Sequence, residues 1–236
     1  MIHVVPNKDR FKADHGWLQS YHHFSFADYY DPKNMHWGAL RVFNDDVIHG
    51  GQGFGLHPHR DMEIVTYVLE GSLEHKDNLG NHGVVEAGEV QVMSAGRGIA
   101  HSEFNHSKTD PLRLMQLWIL PRTMGLKPRW EQRVFLPEER AGKLLPVVSG
   151  GDVPGTLHID QDASIYLSSL RAGEQATHST GAARKLYAFV MEGAAAVNGE
   201  ALAAGDQARI SGESALTIAA SKDAELILLD LPELKG

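Results

Sequence analysis

Short runs of β-type residues, each closed by turn residues, recur along the chain of 236 residues. Ile64–Leu69 is a β-branched and apolar run that ends at Glu70 and Gly71, and Ser72–Asp77 follows it directly. A further run, Arg113–Leu120, is closed by a proline. Strands at this spacing, with few helical stretches between them, predict an all-β sandwich or barrel.

The second half of the chain repeats this pattern. Leu186–Glu192 resembles Ile64–Glu70, and a turn glycine follows each run. The matching turn glycines lie 122 residues apart at Gly71 and Gly193, and 117 residues apart at Gly88 and Gly205. Self-similarity at a nearly constant offset predicts a diverged tandem duplication.

The segment over residues 138–155 is rich in glycine, proline and charge, and we predict it to be the connector between the copies. A short helix is predicted within it, over Glu138–Leu145. Residues 1–137 then form an N-terminal domain, and residues 156–236 form a C-terminal domain. Within the latter, the dipeptide Asn198-Gly199 predicts a two-residue hairpin.

The composition excludes several classes of protein. The chain has no cysteine, so a metal would have to be held by nitrogen and oxygen. A formal charge of −8, with no Lys/Arg cluster, argues against direct nucleic-acid binding. The N-terminus has no signal-peptide pattern, and apolar runs such as Leu114–Pro121 are too short to span a membrane. We expect a cytoplasmic monomer.

Two pairs of ligand-type residues stand out against this background: His57 with His59, and His101 with Glu103. Residues two apart on a strand point to the same face, so each pair can direct two donor atoms into one cavity. On neighbouring strands, the pairs would offer three imidazoles and one carboxylate. That set suits one divalent transition metal.

The second copy lacks these residues. The chain has 14 histidines, and all but His158 and His178 precede residue 110. His178 lies near the expected first position but has no partner two residues away, and Ala215–Ala219 offers no ligand at the second. The C-terminal half is therefore predicted to be a scaffold without metal.

The residues around the two pairs resemble the two motifs of the cupin superfamily. The first motif is matched by Gly51, His57, His59 and Glu63. The second is matched by Gly88, Gly96, His101 and Asn105. It departs in two places, because Ser94 replaces a proline and four residues rather than two separate Gly96 from His101.

With these departures, the sequence resembles one family, the pirins, and specifically the short bacterial pirin-like proteins. The resemblance rests on Gln52–Glu63 and Ser94–Glu103, and it extends to His22–Asp31, Leu40–Asp46 and Gln116–Trp118. It is strong over about residues 15–135 and faint over about 156–232. It implies a bicupin, two tandem antiparallel β-barrels of the jelly-roll type with few short helices, and a metal only in the N-terminal barrel.

The resemblance leaves two candidates for the carboxylate ligand. In most cupins it is the glutamate of the first motif, here Glu63, and an even spacing from His59 keeps Glu63 on the same face of a regular strand. In pirins it is the glutamate that follows the second-motif histidine, here Glu103. We favour Glu103, with Glu63 as a carboxylate that supports the ligands or the structure.

Other residues are candidates for the substrate pocket: Phe54, Gln116 and His22. For each of them a purely structural role in the core is the alternative interpretation. The remaining histidines near predicted turns, His75, His82 and His106, are expected to be solvated.

Four protein ligands leave two of six positions open on an octahedral metal, which is typical of a catalytic centre. Fe(II) is favoured, and Mn, Co, Ni, Cu or Zn would also suit the ligands. Pirins of this type are associated with quercetin 2,3-dioxygenase activity, in which dioxygen opens the heterocyclic ring of a flavonol and carbon monoxide and a depside are released. The resemblance then implies that Glu103 takes the proton of the flavonol 3-hydroxyl.

Two other functions remain open. Pirins are also known as non-enzymatic regulators, in which the oxidation state of the metal gates binding to a protein partner. A cupin isomerase acting on a sugar would fit the fold as well, although the pirin-type residues around the site do not favour it. The sequence identifies neither the physiological substrate nor the metal.

Overall fold

The structure is a computed structural model that describes residues 1–234 and is almost entirely β. The strands in chain order are β1 (Ile2–Val5), β2 (Phe11–Asp14), β3 (Leu18–His22), β4 (Leu40–Ile48), β5 (Gly53–His59), β6 (Glu63–Glu70), β7 (Ser72–Asp77), β8 (His82–Glu86), β9 (Glu89–Ser94), β10 (Ile99–Asn105), β11 (Leu112–Ile119), β12 (Arg129–Val134), β13 (Leu145–Ser149), β14 (Leu157–His158), β15 (Ser164–Leu170), β16 (Gln175–Ser179), β17 (Lys185–Glu192), β18 (Ala194–Val197), β19 (Glu200–Ala203), β20 (Gln207–Ser211), β21 (Ala215–Ala220) and β22 (Ala224–Leu231). A 3-10 helix covers Asn7–Asp9, and the α-helix α1 covers Pro137–Arg140. Neither helix has the length and apolar character needed to cross a membrane.

The first half of the chain folds into a sandwich of two antiparallel sheets. The seven-stranded sheet has the order β12-β9-β6-β11-β4-β3-β2, and the four-stranded sheet has the order β5-β10-β7-β8. Alternate residues of each strand point inward, so Val68 and Leu114 of the larger sheet pack with Leu73 of the smaller one. Both predicted ligand pairs lie on the four-stranded sheet.

The second half forms a sandwich of the same kind. Its sheets have the orders β1-β20-β17-β22-β15-β13-β14 and β16-β21-β18-β19, and Leu186, Leu226 and Ile218 belong to the core between them. The predicted all-β bicupin with two jelly-roll halves and few short helices is confirmed. In each half the two sheets face one another as a sandwich and do not close into a continuous barrel.

The two seven-stranded sheets pack against each other and join the halves. Phe43 and Tyr67 of the first half form one apolar cluster with Tyr187 and Phe189 of the second, and the rings of Phe43 and Phe189 lie 5.2 Å apart. Strands β4, β6 and β11 are therefore covered on both faces. This explains why Ile64–Leu69 is continuously apolar, as expected for a strand in the centre of a layered core.

Turn glycines have the same backbone conformation in the two halves. The φ angle is 81° at Gly71 and 77° at Gly193, and it is 87° at Gly88 and 86° at Gly205. Glycine is favoured there because other residues are strained at positive φ. At Gly71 a side chain would also meet the carbonyl oxygen of Pro111 at 2.7 Å. The repeated turns support the predicted duplication.

Two strands cross the predicted division of the chain. The N-terminal strand β1 pairs with β20 of the second sandwich, and β13, within the predicted connector over residues 138–155, pairs with β15. The helix α1 is a single turn, shorter than the predicted Glu138–Leu145, and Gly142 follows it at a φ of 69°. A glycine at positive φ commonly ends a helix in this way. The domain boundaries at 137 and 156 otherwise stay a prediction.

Candidate metal centre

The two predicted ligand pairs come together because their strands are neighbours. Strands β5 and β10 pair antiparallel, with His57 opposite His101. A register shift follows, so that the residue opposite Glu103 is Phe54, one position nearer the N-terminal end of β5 than Gly55, which a regular ladder would place there. This irregularity turns Phe54 towards the same cavity as His57.

Three imidazoles converge at this point. The ring centroids of His57 and His101 lie 4.4 Å apart, and His59 lies 4.9 Å from His57 and 5.0 Å from His101. One nitrogen of each ring lies within 4.8 Å of the other two. Such spacing suits three nitrogen ligands of one ion.

The surroundings leave ring nitrogens free to bind an ion. Nδ1 of His57 donates a hydrogen bond of 2.7 Å to the carbonyl oxygen of Gly55, so Nε2 keeps its lone pair. Nε2 of His101 is buried and has no hydrogen-bond partner within residues 1–234. Burial, reinforced by the neighbouring imidazoles, lowers the pKa of His59 to about 4 and that of His101 to about 3. Both rings are therefore neutral at pH 7, as nitrogen ligands must be.

Glu103 is buried between two amide side chains. Its Oε1 accepts a hydrogen bond of 2.6 Å from Nε2 of Gln91, and its Oε2 accepts one of 2.8 Å from Nε2 of Gln116. Each amide is oriented by an indole, because Trp130 donates to the oxygen of Gln91 at 2.9 Å and Trp118 donates to that of Gln116 at 3.2 Å. The carboxylate is thus fixed in place, and each oxygen retains a second lone pair.

His75 lies behind His101 and is completely buried, so the prediction that it is solvated is wrong. It is on β7, the other neighbour of β10, and its ring stacks on Trp130 with centroids 5.0 Å apart. Its Nδ1 lies 3.3 Å from Nδ1 of His101, and its Nε2 lies 3.4 Å from Oδ2 of Asp77. His75, His101 and Glu103 also offer three ligand atoms within 4.8 Å of one another.

Glu63 lies on the other face of its sheet. The chain turns at Asp61, where φ is 48°, so the even spacing from the preceding histidine does not keep Glu63 on the same side. On β6, Ile64 packs inside the first sandwich, whereas Tyr67 packs towards the second. Strand alternation puts Glu63 on the side of Tyr67, where its Oε2 accepts a hydrogen bond of 2.6 Å from Ser94. Glu103 is the carboxylate on the side of the histidines.

A cavity of about 210 Å³ opens beside the histidines. Its lining contains the three predicted pocket residues Phe54, Gln116 and His22, together with His57, His59, Glu103, Trp118 and Phe26. The Trp118 ring stands edge-on to His59, with centroids 4.9 Å apart. A larger and more open cleft of about 710 Å³ lies between α1 and the ends of β15 and β22, and no histidine lines it.

Several residues of the site were missed by sequence reasoning. They are Ser20, Asn44, Asp46, Gln91, Trp118, Trp130 and the buried His75. One signal could have found some of them, namely a polar residue at an inward position of an otherwise apolar strand, as with Gln91 between Val90 and Val92. His82 and His106 are exposed, as predicted.

The second sandwich holds no comparable cluster. Among the described residues, groups of three or more metal-type ligands occur only in the first sandwich. Nε2 of His178 lies 2.8 Å from Oδ2 of Asp230, and this oxygen also accepts a hydrogen bond of 2.7 Å from Thr180. Oδ1 of Asp230 accepts one of 2.6 Å from Nε of Arg184. His178 is therefore part of a hydrogen-bond network around the Arg184–Asp230 ion pair, and this network stabilises its own sandwich.

Comparison with known families divides the chain into the same two halves. Residues 4–119 match the family described as Pirin, and residues 146–231 match the Quercetinase C-terminal cupin domain. The chain is 49% identical over 232 residues to the quercetin 2,3-dioxygenase of Escherichia coli strain K12, covering 98% of this chain and 99% of that protein. It is 49% identical to a pirin-like protein of Caulobacter vibrioides, covering 92% of this chain and 94% of that one.

Solved structures show the same likeness. The crystal structure of YhhW from Escherichia coli has 47% sequence identity and a TM-score of 0.95, and the match covers 100% of both chains. A second structure, of the bacterial pirin YhhW in complex with nickel(II), has a TM-score of 0.94 at 47% identity and covers 99% of this chain and 100% of that one.

Proposed function

Because the chain belongs to the pirin family, we propose that it is a metal-dependent dioxygenase that opens the heterocyclic ring of flavonols such as quercetin. One divalent transition metal would be held by His57, His59, His101 and Glu103. The observation that carries this proposal is the convergence of three imidazoles beside an aromatic cavity, one of them with a buried Nε2 that has no partner within residues 1–234.

The donor set fits the metal. Nitrogen and carboxylate ligands suit Fe(II), which we expect, as well as Mn, Co, Ni, Cu and Zn. The buried Nε2 of His101 would otherwise be a costly unpaired polar atom in the native protein. The site lies beside a cavity that a substrate can enter, as a catalytic centre requires. The hydrogen-bond partners that orient the ligands are already in place, namely Gln91 and Gln116 at Glu103 and His75 at His101.

A bound metal would supply Lewis acidity that makes the substrate hydroxyl a stronger acid. Within this chain, Glu103 is the base that takes the proton of the flavonol 3-hydroxyl. Gln91 and Gln116 hold both carboxylate oxygens, so the lone pairs that face the cavity keep a fixed direction. Phe54, Trp118 and Phe26 provide an aromatic lining that packs on a flat ring system and limits the entry of water.

The relatives named above support the reaction class. The quercetin 2,3-dioxygenase of Escherichia coli aligns with 98% of this chain, and the nickel(II) complex of YhhW has nearly the same backbone. The physiological substrate of this chain is the part that needs experiment. A flavonol is the substrate class that the cavity and the relatives favour together.

The deciding experiment is flavonol consumption by purified protein. The protein is reconstituted anaerobically with Fe(II), Mn, Co, Ni or Cu and then exposed to oxygen, with metal content measured on the same samples. His101→Ala is the control and should lose the metal without unfolding, since its side chain is not needed to pack the sandwich. We expect turnover with at least one metal and none in His101→Ala. Protein that binds metal stoichiometrically but does not turn over a flavonol would contradict the proposed dioxygenase activity. Protein that binds no metal would contradict the proposed metal site.

A further inference from the structure

The cavity beside the histidines has a second set of polar side chains, which lie on the seven-stranded sheet and not on the four-stranded sheet that carries the metal ligands. Ser20 and His22 of β3 lie directly opposite Asp46 and Asn44 of β4. All four line the cavity, and all four are only 2–4% exposed. We call these four residues the polar wall.

The polar wall is short of hydrogen-bond partners. Oδ1 of Asp46, Oδ1 of Asn44 and Nδ1 of His22 are buried and lack any partner within residues 1–234. The Ser20 hydroxyl also lacks hydrogen-bond geometry, although it is near enough to Asp46 to affect the acidity of that carboxyl. Buried polar atoms in native proteins are nearly always paired. A cluster of unpaired atoms that faces one cavity therefore indicates a ligand that pairs with them.

Asp45, the neighbouring residue on β4, is also a buried carboxylate, and its partners differ from those of Asp46. Asp45 points to the other face of β4 and is paired with Arg10 at 3.2 Å and with Arg113 at 3.0 Å. Both arginines reach it from within the protein. Asp46, one residue later and equally buried, has no such cation among the described residues. The contrast assigns the unpaired carboxyl to the cavity.

The chemistry of the polar wall selects one kind of ligand group. Asp46 and Asn44 present oxygen atoms, which accept hydrogen bonds from O–H or N–H donors. Within residues 1–234 no lysine or arginine lines the cavity, so no permanently positive side chain there favours a carboxylate or a phosphate. Apart from the metal-site residues, Gln116 and His15, the remainder of the lining is aromatic or apolar and includes Phe26, Phe54 and Trp118. Hydroxyl groups on an aromatic ring fit both features.

The position of the wall sets which part of the ligand it meets. In the sheet, His22 lies opposite Asn44, and Asn44 lies opposite Gln116, which holds Glu103. Neighbouring strands are about 4.8 Å apart, so Asn44 lies one strand step from Gln116, about 5 Å, and His22 lies two steps away, roughly 10 Å. A three-ring flavonol that places its 3-hydroxyl beside Glu103 can extend another ring over this distance.

We propose that the polar wall is a hydroxyl-binding subsite, in which Asp46 and Asn44 accept hydrogen bonds from phenolic hydroxyls remote from the metal. This inference rests on the proposed function and deepens it. The subsite selects polyhydroxylated flavonols over those that carry only the 3-hydroxyl. Asp46 and Asn44 are thus determinants of substrate specificity, and they take no part in the chemical step.

The test measures binding without turnover. Protein loaded with Zn is titrated anaerobically with quercetin and with 3-hydroxyflavone, which lacks the remote hydroxyls, and the dissociation constants are read from quenching of tryptophan fluorescence. Asn44→Leu and Asp46→Leu each keep the approximate size of the side chain but remove its hydrogen-bond acceptor. Ser168→Ala is the matched control, because Ser168 carries a buried hydroxyl on β15, away from the cavity, that has no hydrogen-bond partner within residues 1–234.

The wild type should bind quercetin more tightly than 3-hydroxyflavone. Asn44→Leu should weaken quercetin binding by about tenfold, the equivalent of one good hydrogen bond, and leave 3-hydroxyflavone unchanged. Asp46→Leu should also weaken quercetin selectively, and Ser168→Ala should change neither ligand. Equal losses for both ligands, equal wild-type affinities, or no binding of either flavonol would overturn the subsite. Selective binding in a protein that never turns flavonols over would instead refute the proposed reaction and leave the subsite standing.

Discussion

The Nδ1 atoms of His75 and His101 lie 3.3 Å apart, a distance at which one ring donates a hydrogen bond to the other. If Nε2 of His101 binds a metal, its Nδ1 carries the proton and His75 accepts it at Nδ1. Nε2 of His75 then carries a proton and points to Oδ2 of Asp77 at 3.4 Å. One consistent set of tautomers therefore accounts for both contacts, with Asp77 orienting His75 and His75 accepting the proton on Nδ1 of His101.

This relationship predicts the effect of His75→Phe. The phenyl ring retains the stacking on Trp130 but cannot accept a hydrogen bond from His101. We expect metal affinity to fall about 10–100-fold, as is common when a partner of a ligating histidine is removed. Competition with a chelator measures the change. His82→Ala, at an exposed histidine in the same sheet, serves as control, and an unchanged affinity in His75→Phe would show that the contact does not orient His101.

Glu103→Gln should separate metal binding from catalysis. The three imidazoles remain, so part of the metal is retained, but the base is gone and one amide nitrogen must face a donor of Gln91 or Gln116. We expect flavonol turnover to fall on the order of 10²–10⁴-fold. Glu63→Gln, on the other face of the sheet, should keep both metal and activity. Full activity in Glu103→Gln would refute its role as base, and complete loss of metal in Glu63→Gln would reverse the choice of ligand.

The stability of the protein should depend on pH through Asp46. Burial raises the pKa of Asp46 to about 7, with Ser20 opposing the shift and Asp45 and Glu103 adding to it. In the unfolded chain the pKa is about 3.9, so the folded protein holds the extra proton between about pH 4 and pH 7. The free energy of unfolding therefore falls as the pH rises through this window.

Asp46→Asn removes this dependence. Relative to wild type, the variant should gain stability at pH 8, by up to about 4 kcal/mol, and the gain should shrink towards zero near pH 4. Urea unfolding of both metal-free proteins at several pH values measures the difference. A difference that does not vary with pH would mean that Asp46 is ionised throughout or is solvated.

His178→Ala should affect stability alone. Asp230 keeps its bonds to Thr180 and Arg184 but loses the one to Nε2 of His178. A bond of this kind to a charged group contributes about 1–3 kcal/mol to the free energy of unfolding. Metal content and flavonol turnover should equal those of the wild type. Loss of metal in this variant would show that the second sandwich contributes to the site directly.

Much of the fold follows from local patterns in the sequence. The predicted run Ser72–Asp77 is a strand with the same ends, and the hairpin at Asn198-Gly199 forms with φ angles of 47° and 88°. Positive φ at both central residues is what a two-residue hairpin needs. Such features depend only on residues close together in the chain, and so the sequence contains them.

The parts that sequence reasoning missed depend on contacts between distant residues. His75 was expected to be solvated because a turn follows it, yet β10 and Trp130 cover it. The face of Glu63 depends on the turn at Asp61, which the spacing of the motif does not reveal. The pairing of β1 with β20 joins residues about two hundred positions apart, and no local signal marks it.

The seven-stranded sheet of the first sandwich is covered on both sides, so neighbouring residues of one strand lie in different environments. Along β4, Asn44 and Asp46 face the cavity, whereas Phe43 and Asp45 face the second half of the protein. An engineer who wishes to alter the substrate range can therefore diversify every second codon of this strand. The codons between them would be held constant, because they maintain the attachment of the two halves.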